Sequence, residues 1–139
     1  MLQTCAELGT TFVAYSPLGR AFLTGTVHTE ALADGDFRKN NPRFAGEAEA
    51  INRRLVDELG RFAAARNLTN AQVALAWLLD KHDNVVPIPG TRRMAYLEQN
   101  AAAADHRLSA AEIDELDRLF DPALVAGARY PAAGMVGIE

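Results

Sequence analysis

The stretch Thr11-Phe12-Val13-Ala14-Tyr15-Ser16-Pro17-Leu18-Gly19-Arg20 decides the fold. A short β-favouring run ends abruptly at a tyrosine and a Ser-Pro-Leu-Gly turn, and so reads as a strand buried on both faces. A second run, Val85-Val86-Pro87-Ile88, also ends in a turn, Pro89-Gly90-Thr91, with a helical span between the two. In parallel α/β proteins ligands lie outside the carboxyl ends of the strands. Tyr15 is therefore expected to project toward a ligand, with the second turn on the same rim.

The bulk properties narrow the field. A chain of 139 residues suffices for one ordinary domain and one core. With 49% hydrophobic and 23% charged residues, its composition is that of a soluble globular protein. The net charge of −4 argues against a nucleic-acid partner, since such binders usually carry a basic face. No apolar run is long enough to cross a bilayer, and Met1 to Gly9 lacks the layout of a signal peptide. The single Cys5 has no intrachain disulfide partner; it reads as a small core residue in a reducing, cytoplasmic protein.

Outward from the first strand, Leu2 to Leu8 reads as the last turns of a helix stopped by Gly9. A helix end feeding straight into a buried strand is an unusual start for a domain and hints at truncation. Val27 to Gly46 is a long polar loop in which Arg38 either reaches a phosphate or stands in a solvated charge cluster with Lys39 and Arg43. Glu47 to Asn67 is helical, with Ile51, Leu55, Leu59 and Phe62 on its apolar face and Arg53 among the residues turned to water. Thr69 with Gln72, and Ser109 with Glu112, have the spacing of capping boxes, each flanked by a hydrophobic staple. The first opens a helix carrying Val73, Ala74, Trp77 and Leu78 inward. The second opens one that buries Ile113, Leu116 and Phe120. Between them, Met94 to Ala104 is expected to be helical with Leu97, Ala101 and Ala104 inside, and Ala123 to Glu139 to lie as a loop.

The two turns hold the chemistry. Pro89-Gly90-Thr91-Arg92-Arg93 leads from a strand into a helix amino terminus, where free amides attract anions. Gly90 permits close backbone approach, Thr91 offers a hydroxyl and the arginines add charge, which together make a phosphate cradle. In the first turn Tyr15 offers a ring to a flat heteroaromatic group, and Arg20 a cation to a pyrophosphate. Either turn alone is better read as structural; at the same strand ends, the pair favours a dinucleotide. His28, His82 and His106 stand apart without Cys or carboxylate companions, so no metal site is expected. No serine-hydrolase elbow, Gly-x-Gly-x-x-Gly or Walker loop occurs.

Tyr15-Ser16-Pro17-Leu18-Gly19-Arg20 with Leu23-Thr24-Gly25, and Pro87-Ile88-Pro89-Gly90-Thr91 with Leu97-Glu98-Gln99-Asn100, resemble the signatures after the seventh and eighth barrel strands of the aldo-keto reductase family. Asp36-Phe37-Arg38, Pro42-Arg43-Phe44 and Arg129-Tyr130-Pro131 are similar to its bacterial, yeast and plant carbonyl-reductase branch, which includes pyridoxal-reductase-like enzymes. The resemblance covers nearly the whole chain. It implies an α/β fold, the C-terminal fragment of a (β/α)8 TIM barrel, with residues 1–139 retaining the last two strands and their helices and the N-terminal half absent.

The resemblance also implies the cofactor NADPH/NADP+ and a small carbonyl substrate. Tyr15 would stack on the nicotinamide, and Ser16, Leu18 and Arg20 would line the pyrophosphate path. Gly90 and Arg92 would hold the adenosine 2′-phosphate region, with Gln99, Asn100 and Tyr96 near the adenine. Pro17, Gly19, Leu23, Gly25, Arg38, Ile88 and Thr91 complete the implied cofactor-binding set, and Tyr130 would help shape the substrate pocket. Two positions depart from the pattern: Ala21 where a glycine is common, and Thr26 where a lysine often follows Thr-Gly.

The family's Asp, Tyr, Lys and His set belongs to earlier strands, so this chain is expected to hold cofactor-binding residues and no catalytic ones. Neither Tyr15 nor Tyr130 has a lysine placed by sequence to make it the acid. Two strands cannot close a barrel, so the chain alone is expected to be marginal, to aggregate, or to self-associate through exposed strand edges. The alternative is a non-catalytic nucleotide-binding or interaction protein on the same scaffold.

Overall fold

A computed structural model describes residues 1–137. Its elements in order are α1 (Leu2–Glu7), β1 (Phe12–Tyr15), α2 (Gly46–Ala64), α3 (Asn70–Lys81), β2 (Val85–Ile88), α4 (Met94–Ala101), α5 (Ala110–Leu119) and α6 (Ala132–Met135), with short 3-10 turns between them. The two strands pair in parallel, with Phe12 opposite Val85 and Tyr15 opposite Ile88. Both capping boxes form as the spacing predicts, at Thr69 with Gln72 and at Ser109 with Glu112. Asn67, with φ 55°, takes the left-handed bend between α2 and α3.

The core lies among the helices. Leu59, Phe62 and Ala63 of α2, Val73 and Ala76 of α3, Leu116 of α5 and the preceding Leu108 form one buried cluster. Polar ties run along its margin. Asp80 accepts from the Leu108 amide at 2.7 Å and from Arg107 at 2.7 Å, joining the end of α3 to the start of α5. Asp117 accepts from the Trp77 indole at 2.9 Å and from Lys81. Trp77 is thus a half-buried packing residue whose N–H is satisfied.

Several expectations need correction. The strands are covered on one face only. Ala14 and Val85 face the helices, while Val13, Tyr15, Val86 and Ile88 on the alternate face are about half exposed at 53%, 50%, 49% and 52%. Parallel sheets are stable when both faces are covered, whereas this face stays half exposed, with the Tyr130 and Arg129 side chains reaching the Tyr15 hydroxyl. On α2, which ends at Ala64, the buried stripe is Asn52, Val56, Leu59, Phe62 and Ala63. Ile51 and Leu55 sit on its flank because Asn52 is drawn inward by backbone partners. Arg53 lies back along the helix onto Glu49 at 2.7 Å and the Val27 carbonyl at 2.9 Å rather than pointing into water.

On α3 the fully buried residues are Ala71, Val73, Leu75 and Ala76, with Ala74, Trp77 and Leu78 partly covered. This helix touches β2, α2, α4 and α5, so no single stripe describes it. α4 stops at Ala101 and tightens into a 3-10 turn, Ala102–Asp105. Its covered residue is Ala103 at 0% exposure, while Leu97, Ala101 and Ala104 are exposed, because α3 meets the opposite side. Cys5 is half-buried in a helix with no buried residue and so lies outside the core. The segment after α5 is more ordered than a loop, with a 3-10 turn at Pro122–Leu124 and α6; the last two positions of that expectation, 138 and 139, lie outside the described residues.

Candidate functional site

The pairing of Tyr15 with Ile88 brings both turns out of the same end of the sheet. The first turn coils tightly. Ser16, Arg20 and Ala21 take left-handed φ values of 50°, 57° and 70°, as does Gly19 at 56°. Such conformations are unfavourable for residues with a Cβ, and they persist where the surroundings over-determine them. Here Gly19 N–H donates to Ser16 O at 2.9 Å, Leu23 N–H to Leu18 O at 3.3 Å, and the Thr24 hydroxyl to Ala21 O at 2.6 Å. The left-handed φ of Ala21 accounts for the glycine common at this place in the resembling sequences.

The coil sends successive side chains to different sides. Leu18 and Ala21, with Thr24 and Thr26, face the second turn across a cleft of about 270 Å³. Gly90, Thr91, Tyr96, Gln99 and Asn100 form its other wall, and Thr69 and Ala71 its floor. A Cβ built on Gly90 meets nothing within 4 Å, so the backbone there is open to the cleft. The Thr91 hydroxyl accepts from the Arg93 amide at 3.2 Å, closing the turn just before α4. The Arg93 guanidinium stands 5.5 Å from the centre of the Tyr96 ring. The cleft is thus lined by four threonines, two carboxamides, an aromatic ring and an open stretch of backbone, and the exposed cations Arg92 and Arg93 follow Thr91 in the chain.

Other residues of the implied set lie elsewhere. Tyr15, Pro17 and Leu23 line an apolar recess of about 260 Å³ with Trp77, Leu116 and Phe120. Ser16, Arg20 and Arg38 line an open bay with Gly35, Asp36 and Phe37. Gly19 and Arg20 border a third cavity against Arg43 and Phe44. Gly25, at φ 76°, closes the 3-10 turn Phe22–Thr24 and packs near Asn70 and Val56. Ile88 sits on the uncovered sheet face, and Arg92 is exposed outside the cleft lining.

Arg38 is already engaged: it donates to both oxygens of Asp36, at 3.0 and 2.7 Å, and to Arg20 O at 3.4 Å. Arg38, through its guanidinium bonds first and its backbone N–H second, holds the Asp36 carboxyl down at about 2. The pair shapes the loop beneath Arg20.

Tyr15 has partners that sequence spacing does not reveal. Its Oη lies 2.8 Å from Tyr130 Oη and accepts from the Arg129 guanidinium, which also stands 5.2 Å from the Tyr15 ring centre. The Arg20 and Arg129 guanidiniums stand 4.9 and 5.7 Å from the Tyr130 ring centre. Tyr130 ionises below the ordinary tyrosine value because Tyr15 hydrogen-bonds to it and Arg129 and Arg20 favour its anion. Tyr15 is held above that value chiefly by its bond to Tyr130.

The segment that carries Arg129 and Tyr130 is pinned by two buried asparagines. Asn52 Nδ2 donates to Arg43 O at 3.0 Å and Ala126 O at 2.9 Å, and its Oδ1 accepts from the Ala126 amide at 2.9 Å. Asn41 Nδ2 donates to Arg129 O at 3.1 Å. Gly127, at φ 83°, passes so close that a Cβ would lie 2.6 Å from Pro42 O. An isolated asparagine in a helix or loop carries no signal for such a role, so Asn41 and Asn52 were not recognisable; Arg129 was visible only through the Arg-Tyr-Pro resemblance.

Among the described residues no group of three or more His, Cys, Asp or Glu is placed to hold a metal, and no helix is long and apolar enough to cross a membrane.

Comparison with known proteins places this geometry in context. The model of the aldo/keto reductase family matches residues 1–121. The chain is 43% identical over 132 residues to a protein of Schizosaccharomyces pombe named aldo-keto reductase yakc [NADP(+)], covering 94% of this chain and 39% of that protein. It is 35% identical over 140 residues to aldo-keto reductase str7 of Strobilurus tenacellus, covering 100% of this chain and 42% of that protein. The chain thus spans about two fifths of the curated relatives it matches. Among solved structures, an aldo-keto reductase from Klebsiella pneumoniae in complex with NADPH aligns with a TM-score of 0.57 and 31% identity, over 86% of this chain and 33% of that one. The fold is also that of a glycerol dehydrogenase from Gluconobacter oxydans, with a TM-score of 0.79 over 94% of this chain and 39% of the other at 21% identity.

Proposed function

The chain belongs to the aldo/keto reductase family, and from that premise we propose that residues 1–139 are the cofactor-holding portion of a barrel reductase that uses NADPH to convert aldehydes or ketones to alcohols. One observation carries this reading: the two strand-end turns share a cleft lined by Leu18, Ala21, Gly90, Thr91, Tyr96, Gln99 and Asn100. The relative from S. pombe named for NADP(+), and the K. pneumoniae enzyme solved with NADPH, support it.

The residues present fit the group. The hydroxyls and carboxamides suit ribose and adenine edges, the open backbone at Gly90 suits a phosphate, and exposed Arg92 and Arg93 suit a 2′-phosphate at the start of α4. Tyr15, half exposed at the sheet rim, offers its ring to the nicotinamide, and its Oη ties to Tyr130 and Arg129 fix the ring's direction. When bound, the cofactor supplies the reducing equivalents for a carbonyl carbon. The chain's own part is to bind and orient. The proton for the carbonyl oxygen comes in this reading from barrel strands outside this chain, so the chain alone binds without turnover.

Those strands would add to the free edges of β1 and β2 and cover Val13, Tyr15, Val86 and Ile88; in their absence we expect the same edges to pair two copies. The lone Cys5 suits a reducing cytoplasm.

Titration of the purified chain with NADPH and NADH, followed by cofactor fluorescence and calorimetry, tests the reading. Saturable binding that favours NADPH and weakens about tenfold in Arg92→Ala is expected, with no cofactor oxidation by added aldehydes. Absence of any response to NADPH would refute it.

A further inference from the structure

Three arginines gather at the tail, Arg20 and Arg129 beside Tyr130 and Arg43 close to both, with no described carboxylate within 4.0 Å of any of them. The Arg20 and Arg129 guanidiniums bracket its ring at 4.9 and 5.7 Å, and Arg43 donates to the Gly127 carbonyl at 3.2 Å, two residues before Arg129. The nearby acid, Asp36, is taken up by Arg38. Elsewhere in a chain of net charge −4, Arg38, Lys39, Arg53, Arg61, Arg66, Lys81 and Arg107 each have a carboxylate, while Arg54, Arg92, Arg93 and Arg118 have no described one; what sets Arg20, Arg43 and Arg129 apart is that they stand together. Gathered like charges repel, and here the repulsion is felt. Arg43 holds its proton less tightly than a free arginine, first because it is partly buried and then because Arg129 and Arg20 stand close. Such a cluster lowers the stability of the empty chain and is relieved by an anion.

The cluster opens away from the proposed cofactor cleft. Leu18 and Ala21 face the proposed cofactor cleft, whereas Arg20 faces the other way, toward Asp36–Arg38 and toward Arg43. Arg129 reaches the far end of Tyr15, at its hydroxyl. The cluster therefore lies past the ring offered to the nicotinamide, on the side from which a second molecule would approach. Its walls are the rings of Phe37, 5.8 Å from the Arg20 guanidinium, and Tyr130. Planar guanidiniums flanked by aromatic faces suit a carboxylate on an apolar body.

We propose that Arg20 and Arg129, reinforced by Arg43, form an anion site beside Tyr15 that selects carbonyl substrates bearing a carboxylate. That these ligands are substrates rests on the reductase reading above; that they bind does not. The test is made on the chain itself by calorimetry and amide NMR, with 4-formylbenzoate and its neutral methyl ester, with and without NADPH. The carboxylate should bind about tenfold more tightly than the ester, shift the amides of Arg129 and Tyr130, and lose that margin in Arg129→Gln and at high salt. Arg20→Gln, at the other side of the ring, should reduce the margin independently of any disturbance of the tail. Equal binding of ester and carboxylate, or an unchanged margin in both variants, overturns the proposal. If NADPH fails to bind while the margin holds, the anion site stands and the reductase reading falls.

Discussion

Ala21 sits at φ 70° with its Cβ on the wall of the proposed cofactor cleft. Relieving a left-handed residue of its Cβ clash is worth about 1–2 kcal/mol, and the extra freedom of glycine in the unfolded chain takes back about 0.4–1 kcal/mol. The substitution Ala21→Gly should therefore stabilise the chain by about 0.5–1 kcal/mol. No hydrogen bond is lost, because the Ala21 carbonyl remains to accept from the Thr24 hydroxyl. In urea, with a slope of about 1–3 kcal/mol/M, the midpoint should rise by roughly 0.2–1 M without a change in slope. NADPH binding should strengthen in parallel, since the cleft wall recedes where the backbone faces the second turn. Circular dichroism in urea and a cofactor titration on the same samples provide both readings. A midpoint that stays put or falls would refute the claim that this turn is strained at Ala21.

Acid sensitivity should centre in part on Glu112. Its carboxylate accepts from the Ser109 amide at 2.7 Å, the Ser109 hydroxyl at 2.8 Å and Arg66 at 2.6 Å. The Ser109 amide first, then Arg66, hold it at about 2 instead of 4.5. A folded pKa below the unfolded one means stability that is full above about pH 4.5 and is lost as pH falls toward 2. With the side chain 26% exposed, screening leaves about 1–2 kcal/mol, and Glu112→Gln should flatten the pH dependence of the melting temperature across that window. Asn52→Ala should cost about 2–3 kcal/mol, because it strands the Ala126 amide and two carbonyls at a buried position. By releasing the tail it should also raise the pH at which Tyr130 ionises toward the ordinary tyrosine value, read by ultraviolet titration; an unchanged titration with a lowered melting temperature would show that Asn52 does not hold Tyr130 in place.

Local rules were enough for much of this chain. The two strands, the helix stops at Gly9 and Asn67, and both capping boxes follow from residue types at short spacing, where backbone sterics and hydrogen-bond reach act within a few positions. The paired turns at one rim were legible because parallel pairing leaves both strands pointing the same way. What escaped was set by distant partners. The buried stripe of α2 runs through Asn52 because a segment far along the chain supplies backbone groups for its amide, and no helical periodicity encodes that. The exposed Leu97 and the half-naked strands show the same dependence on what packs above them.

The sequence by itself determined the two strands with their closing turns, the capped starts of α3 and α5, and which residue types stand at the strand rim. Only the tertiary structure decided which side of the first turn each of them serves. Successive left-handed residues send Leu18 and Ala21 into the cleft and Arg20 out toward Arg129 and Tyr130. That division arises because a coil in the left-handed region reverses the outlook of neighbouring side chains, and because the asparagine-pinned tail arrives from far along the chain to meet it.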